Sequence, residues 1–245
     1  LCIFAGGAVF AALVALLGLV AIYELFTLMR ESRPSKASGF CGVVGLVVAG
    51  LYGSVFQVLL VLVATLPLTF GFVLIRPRRQ DVSRAIAATL FGIVWLGLPL
   101  AYAVLLRDAG HGRDLLIDVL FATFIGDSGA YFVGKAVGRH QLAPSISPNK
   151  TIEGLIAGLV TATAAFVGLE LAYQQSWLSP LQALVIGLSV ALAAPVGDLF
   201  ESFVKRDFGV KDTGAFFGAH GGVVDRLDAV LFTVVTAYYV SVAVM

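Results

Sequence analysis

Residues 37–75 read ASGFCGVVGLVVAGLYGSVFQVLLVLVATLPLTFGFVLI, a stretch of 39 positions without one charged side chain. A helix crosses the hydrocarbon core of a bilayer in about 20 residues. The stretch is therefore too long for one pass and long enough for two. Tyr52-Gly53-Ser54 is its best turn, because glycine frees the backbone and a serine hydroxyl can cap a helix start. The reading is two membrane helices, 38–52 and 54–75, of which the first is short enough to be tilted or partly re-entrant.

Outward from that pair, continuous apolar runs over 1–29, 85–106, 115–137, 151–173, 181–204 and 224–244 supply six more spans. The expected fold is all-α: a polytopic integral membrane helical bundle of about eight transmembrane helices. A membrane β-barrel would instead show alternating segments of about 10 residues. The composition agrees. Of 245 residues, 59% are hydrophobic and 13% charged, whereas soluble domains carry about 25% charged residues. That excludes a soluble enzyme, a disordered chain and a disulfide scaffold. Cys2 and Cys41 fall toward opposite faces of the bilayer, too far apart to bridge, and read as small apolar residues. Because the first residue is Leu1 rather than Met, a ninth helix is expected upstream. The chain reads as one membrane domain, with residues 1–114 as scaffold helices and residues 115–245 forming the catalytic helices and loops.

Charge fixes the orientation. Of sixteen basic residues, fourteen lie in or beside alternate connections: Arg30, Arg33, Lys36; Arg76, Arg78, Arg79, Arg84; Lys135, Arg139, Lys150; Lys205, Arg206, Lys211, Arg226. Arg107 and Arg113 lie in an opposite connection, offset by Asp108 and Asp114. By the positive-inside rule the basic side is cytoplasmic, and the expected location is a bacterial inner (cytoplasmic) membrane.

Seven acids fall within the spans that precede the last one: Glu24, Asp118, Asp127, Glu153, Glu170, Asp198 and Glu201. A carboxylate at the bilayer centre costs about 2.5 kcal/mol or more, so it faces a cavity or a partner. Asp118 and Glu170 lie near the outer interface and read as solvated helix ends. Glu24 lies near an inner helix end, where Arg30 can snorkel toward it. Asp127, Asp198 and Glu201 share the cytoplasmic half. Asp198, Glu201, Ser202 and Lys205 follow one helical stripe, and Asp225 and Asp228 repeat the i,i+3 spacing at the start of the last helix. Pro195 and Gly197 weaken the helix and free carbonyls beside Asp198. Oxygen ligands without His or Cys suit a hard cation, Mg²⁺ first, with a second cation allowed for. The alternative is an ion-pair network with Lys205, Arg206 and Arg226.

Two segments suit phosphate. In Ser145-Ile146-Ser147-Pro148-Asn149-Lys150-Thr151, Ser147 reads as an N-cap and Pro148 as the first residue of the following helix. Free N–H groups would then lie beside Lys150, ready for a phosphate oxygen or simply capped. The loop 205–228 interleaves Lys205, Arg206, Lys211, His220 and Arg226 with aspartates and Gly221-Gly222. Carboxylates holding a cation, with basic groups holding phosphate oxygens, is the chemistry that pattern serves. For His220, hydrogen bonding within the loop is the alternative. There is no Gly-x-Ser-x-Gly elbow, Walker A loop or dinucleotide fingerprint. The basic residues follow topology rather than an aromatic-interleaved stripe, so nucleic acid is not an expected partner.

Ser202-Phe-Val-Lys205-Arg206, Lys211-Asp212-Thr-Gly214 and His220-Gly221-Gly222-Val-Val-Asp225-Arg226-Leu-Asp228 together resemble the signature of phosphatidate cytidylyltransferases (CDP-diacylglycerol synthases). Gly126-Asp127-Ser128-Gly129-Ala130-Tyr131-Phe132 and Ile146-Ser147-Pro148-Asn149-Lys150-Thr151-Ile152-Glu153-Gly154 resemble two further motifs of that family. Gly218-Ala219 stand where the family commonly has Pro-Gly, and Asn149 where a lysine is frequent. The resemblance implies that CTP and phosphatidic acid give CDP-diacylglycerol and pyrophosphate with Mg²⁺. It implies that Asp198 and Asp225 are the principal metal carboxylates, with Asp127, Asp212 and Asp228 as nearby acids. Lys205, Arg206, Lys211 and Arg226 would hold phosphates, with His220 in the same signature. Ser147, Asn149, Lys150, Thr151, Ser202, Gly221 and Gly222 would line the substrates. Expected partners are the two substrates and the bilayer, with a homodimer allowed for. The rival readings are a CTP-dependent polyprenol or phytol kinase and an ion-coupled transporter.

Overall fold

The computed structural model describes residues 2–75, 81–172, 177–214, 216, 218 and 221–245. Its helices are α1 (Gly7–Leu28), α2 (Lys36–Tyr52), α3 (Val55–Leu74), α4 (Val82–Gly92), α5 (Leu98–Asp108), α6 (Gly112–Val137), α7 (Ile152–Ala172), α8 (Pro180–Asp207) and α9 (Val224–Val244). A π-helical turn at Ile93–Gly97 joins α4 to α5, so Val82–Asp108 is one continuous rod. Pro99 follows that turn, and a proline that lacks an N–H shifts the helical hydrogen-bond register. Among the described residues, seven helices are long and apolar enough to cross a membrane, and α2 is apolar but shorter. The protein is thus an all-α polytopic membrane bundle.

The break in the uncharged stretch falls at Gly53 and Ser54. Ser54 and Gln57 form a capping box: the Ser54 N–H donates to Gln57 Oε1 at 2.8 Å, and Phe56 N–H to Ser54 Oγ at 3.3 Å. Ser179 and Gln182 start α8 in the same way, with Pro180 in the first turn. Cys2 and Cys41 are free thiols.

The chain forms two compact units. One comprises Leu1–Gly110 with Asp212–Arg226, and the other His111–Lys211 with Leu227–Met245. In the first, Ile22, Leu25 and Phe26 of α1, Leu46 of α2 and Leu96 and Leu106 of the α4–α5 rod are fully buried. In the second, α6 and α7 lie back to back at small residues. A Cβ on Gly154 would sit 2.8 Å from the Ala130 carbonyl, and one on Gly158 3.1 Å from the Gly126 carbonyl. The first is closer than a side chain allows and the second is tight, which is the close approach that small residues permit in membranes.

Three local readings of the sequence are corrected. Ser147 and Pro148 do not begin α7. They lie in β2 (Ser147–Thr151), which pairs antiparallel with β1 (Gln141–Ala143), Gln141 opposite Thr151 and Ala143 opposite Ser147. The ladder supplies partners for backbone that the N-cap reading leaves to side chains. The start of α7 is capped instead by Thr151, whose hydroxyl accepts from Gly154 N–H at 3.1 Å. Asp118 and Glu170 are not solvated ends. They are 1% and 6% exposed and lie within hydrogen-bond reach of each other, because α6 and α7 pack with these positions facing. Glu24 meets backbone of the 212–226 segment rather than Arg30, as described below.

Candidate functional site

Within the second unit, three elements carry acids and lysines to one place. The stripe on α8 presents Asp198 and Glu201, and α9 presents Asp228. Carboxylate oxygens of these three residues lie within 4.8 Å of one another. Gly197 makes this approach possible, since a Cβ there would lie 2.5 Å from the Asp228 carbonyl oxygen and 3.1 Å from Ala229 Cα. Phe200 and Phe232 pack beside it with ring centroids 5.6 Å apart. Despite Pro195, α8 runs unbroken through this region.

The hairpin brings the next group. Lys150, on β2, forms an ion pair with Asp198 at 2.5 Å. The hairpin is held at its base by Glu153, which accepts from Arg139 N–H at 3.1 Å and meets His140 Nδ1 at 2.6 Å. Arg206 donates to the Ile146 carbonyl at 3.2 Å and the Val210 carbonyl at 3.3 Å, tying the hairpin turn to the end of α8. Lys205 pairs with Glu201 at 2.6 Å, and Glu201 is 1% exposed.

The ion-pair alternative is therefore partly realised, with one lysine each for Asp198 and Glu201. It does not neutralise the group. Asp127 on α6 interacts electrostatically with Asp198 and Lys150, and Asp228 with Asp198, Asp127 and Lys205. That sets four carboxylates against two lysines. At an effective dielectric near 20, unit charges ~4 Å apart repel by about 4 kcal/mol. An all-oxygen donor set with excess negative charge fits a hard divalent cation. The converging oxygens are spaced so that one ion can reach several of them. Glu201 belongs to this group although the expected metal set omits it; its i,i+3 spacing from Asp198 was the available signal.

The first unit holds the remaining signature residues. Asp225 accepts from Thr213 N–H and Thr213 Oγ1, both at 3.0 Å, and from Gly222 N–H at 2.7 Å. Its carboxylate thus joins Thr213 to Gly222. Gly221 turns that loop with φ +84°, a left-handed conformation that glycine adopts without cost. Arg226, Lys211 and Asp212 are exposed, as is Asn149 of the hairpin, while Ser202 is half-buried. His220 lies outside the described residues.

The fold and the site together define a multi-pass helical membrane protein that gathers carboxylates and lysines in one place. More narrowly, the chain belongs to the Cytidylyltransferase family, whose model matches residues 1–244. It is 38% identical over 164 residues to a phosphatidate cytidylyltransferase of Mycobacterium leprae, covering 66% of this chain and 51% of that protein. It is 35% identical over 147 residues to one from Bacillus subtilis, covering 60% and 54%. The chain spans about half the length of the curated relatives it matches.

Proposed function

We propose that the protein transfers CMP from CTP to phosphatidic acid, giving CDP-diacylglycerol and pyrophosphate, at the cytoplasmic face of a bacterial inner membrane. The observation that carries the reading is the convergence of Asp198, Glu201 and Asp228 beside Lys150 in a chain of the Cytidylyltransferase family. A phosphate oxygen of phosphatidate bonds to the α-phosphorus of CTP as the bond from that phosphorus to the bridging oxygen breaks, and pyrophosphate leaves. The attacking oxygen is already anionic near neutral pH, so no strong base is required. The obstacle is bringing two polyanions together in line, which positioning and electrostatics overcome.

Asp198, Glu201 and Asp228 would hold a divalent cation, Mg²⁺ first, which when bound offsets charge on the phosphates. Lys150 holds Asp198 in place and presents an ammonium to phosphate oxygens. The exposed Lys211 and Arg226 are further phosphate contacts, assigned through the signature. Arg206 fixes the carbonyls of Ile146 in the hairpin and of Val210 after α8.

The test uses purified protein in detergent with Mg²⁺, phosphatidic acid and CTP labelled at either the α or the γ phosphorus. Label from the α position in the lipid, with stoichiometric pyrophosphate, is the expected result. Label from the γ position would replace this reading with a lipid kinase. Absence of CTP turnover alongside ion uptake into vesicles would replace it with a transporter.

A further inference from the structure

The first 80 residues contain two acids, Glu24 and Glu31. Glu24 stands on the last turns of α1, 7% exposed among apolar neighbours. A charge so placed needs donors, and it finds them about two hundred positions along the chain. Glu24 Oε2 accepts from Val223 N–H at 2.7 Å and from Val224 N–H at 3.3 Å. These are N–H groups at the start of α9, which have no acceptor within their own helix. A side chain of the same helix usually caps such groups; here the cap comes from another helix. The fit is close on both sides. A Cβ on Gly214 or on Gly222 would fall onto the Glu24 carboxyl group, so the signature glycines at these positions make room for it.

The consequence reaches the phosphate-handling loop. Asp225 fastens Thr213 to Gly222 from within the loop, and Glu24 fastens the same loop to α1. Between them, the two carboxylates hold Thr213, Gly222, Val223 and Val224, and hence the direction in which Asp225 and Arg226 leave the first turn of α9. We infer that Glu24 is a positioning residue of the reaction: it caps α9 from α1 and sets the geometry of the 212–226 loop. This rests on the assignment of that loop to phosphate handling, while the clamp itself can be measured independently.

The experiment compares Glu24→Gln and Glu24→Ala with the unaltered protein in detergent. Hydrogen-exchange mass spectrometry follows peptides covering 212–226 and, as a reference, 115–137, and CMP transfer is assayed in parallel. Glu24→Gln keeps the shape and one acceptor oxygen and guards against a fold failure in Glu24→Ala. The expected result is faster exchange confined to 212–226 in both variants. Turnover should fall about tenfold in Glu24→Gln and on the order of a hundredfold in Glu24→Ala, as for a misplacement of about 1 Å. Unchanged exchange at 221–226 in both variants would overturn the inference, as would equal loosening of the reference peptide in Glu24→Gln. So would wild-type turnover in both. If the unaltered protein itself transfers no CMP, the functional reading fails, and the exchange arm still decides the clamp.

Discussion

Two sets of acids in this chain, one in each compact unit, meet opposite fates. Glu24 and Asp225 are met by backbone and hydroxyl donors: Val223 and Val224 for the first, Thr213 and Gly222 for the second. Asp198, Glu201 and Asp228 lie against one another, with Lys150 paired to Asp198, Lys205 paired to Glu201 and Ala229 N–H donating to Asp228 at 2.8 Å. Hydrogen bonds to a charged group contribute about 1.5–3 kcal/mol each, so the first set holds the chain together. Mutual repulsion costs energy, which supports the proposal that the second set holds a cation. Formal charge is the same in both sets, and the partners decide the use.

That contrast can be broken most decisively at Asp198. Asp198→Asn should lower CMP transfer on the order of a thousandfold, while thermal unfolding in detergent shifts by no more than about 1 kcal/mol, since the Lys150 pair is part-exposed. Chelation with EDTA should abolish transfer, and Mg²⁺ should restore it. At a hundred times its dissociation constant, the ion should stabilise the unaltered protein by about 2.7 kcal/mol and the Asn variant far less. Equal Mg²⁺ stabilisation of the two would end the metal assignment. Gly197→Ala tests the approach of the helices. Its Cβ would lie 2.5 Å from the Asp228 carbonyl, so α8 and α9 must shift, and turnover should drop about a hundredfold even though every carboxylate remains.

Asp225→Asn sharpens the other side of the comparison. It should also lose activity, but with a loss of stability of about 1.5–3 kcal/mol that Asp198→Asn does not show. Equal thermal midpoints for the two variants would erase the difference between the two sets of acids. Thr213→Val should have the smallest effect, about 1.5 kcal/mol of stability for one hydroxyl donor to a carboxylate, read from the same unfolding curves.

The spans were legible because each is an apolar run ended by a local signal, such as the Ser54–Gln57 box. The acid stripe on α8 was legible because Asp198 and Glu201 obey helical spacing. Other features were not, for reasons that can be named. Ser147-Pro148 before an apolar run satisfies every local rule for a helix start, and only pairing with 141–143 turns it into a strand. Asp118 and Glu170 come from different helices, and nothing in either neighbourhood announces the other. Glu24 was read against its near neighbour Arg30, but its donors lie 199 and 200 positions away. In each case a tertiary contact overrode a sound local expectation.

The reach from α1 to α9 also orders events in time. A ribosome adds roughly 5–20 residues per second, so Glu24 emerges roughly 10–40 s before its acceptor-seeking partners. Throughout that interval Glu24 lacks the backbone donors that meet it in the folded protein. The latch can close only once residues 223 and 224 have been made, so assembly of the signature loop comes well after synthesis of α1.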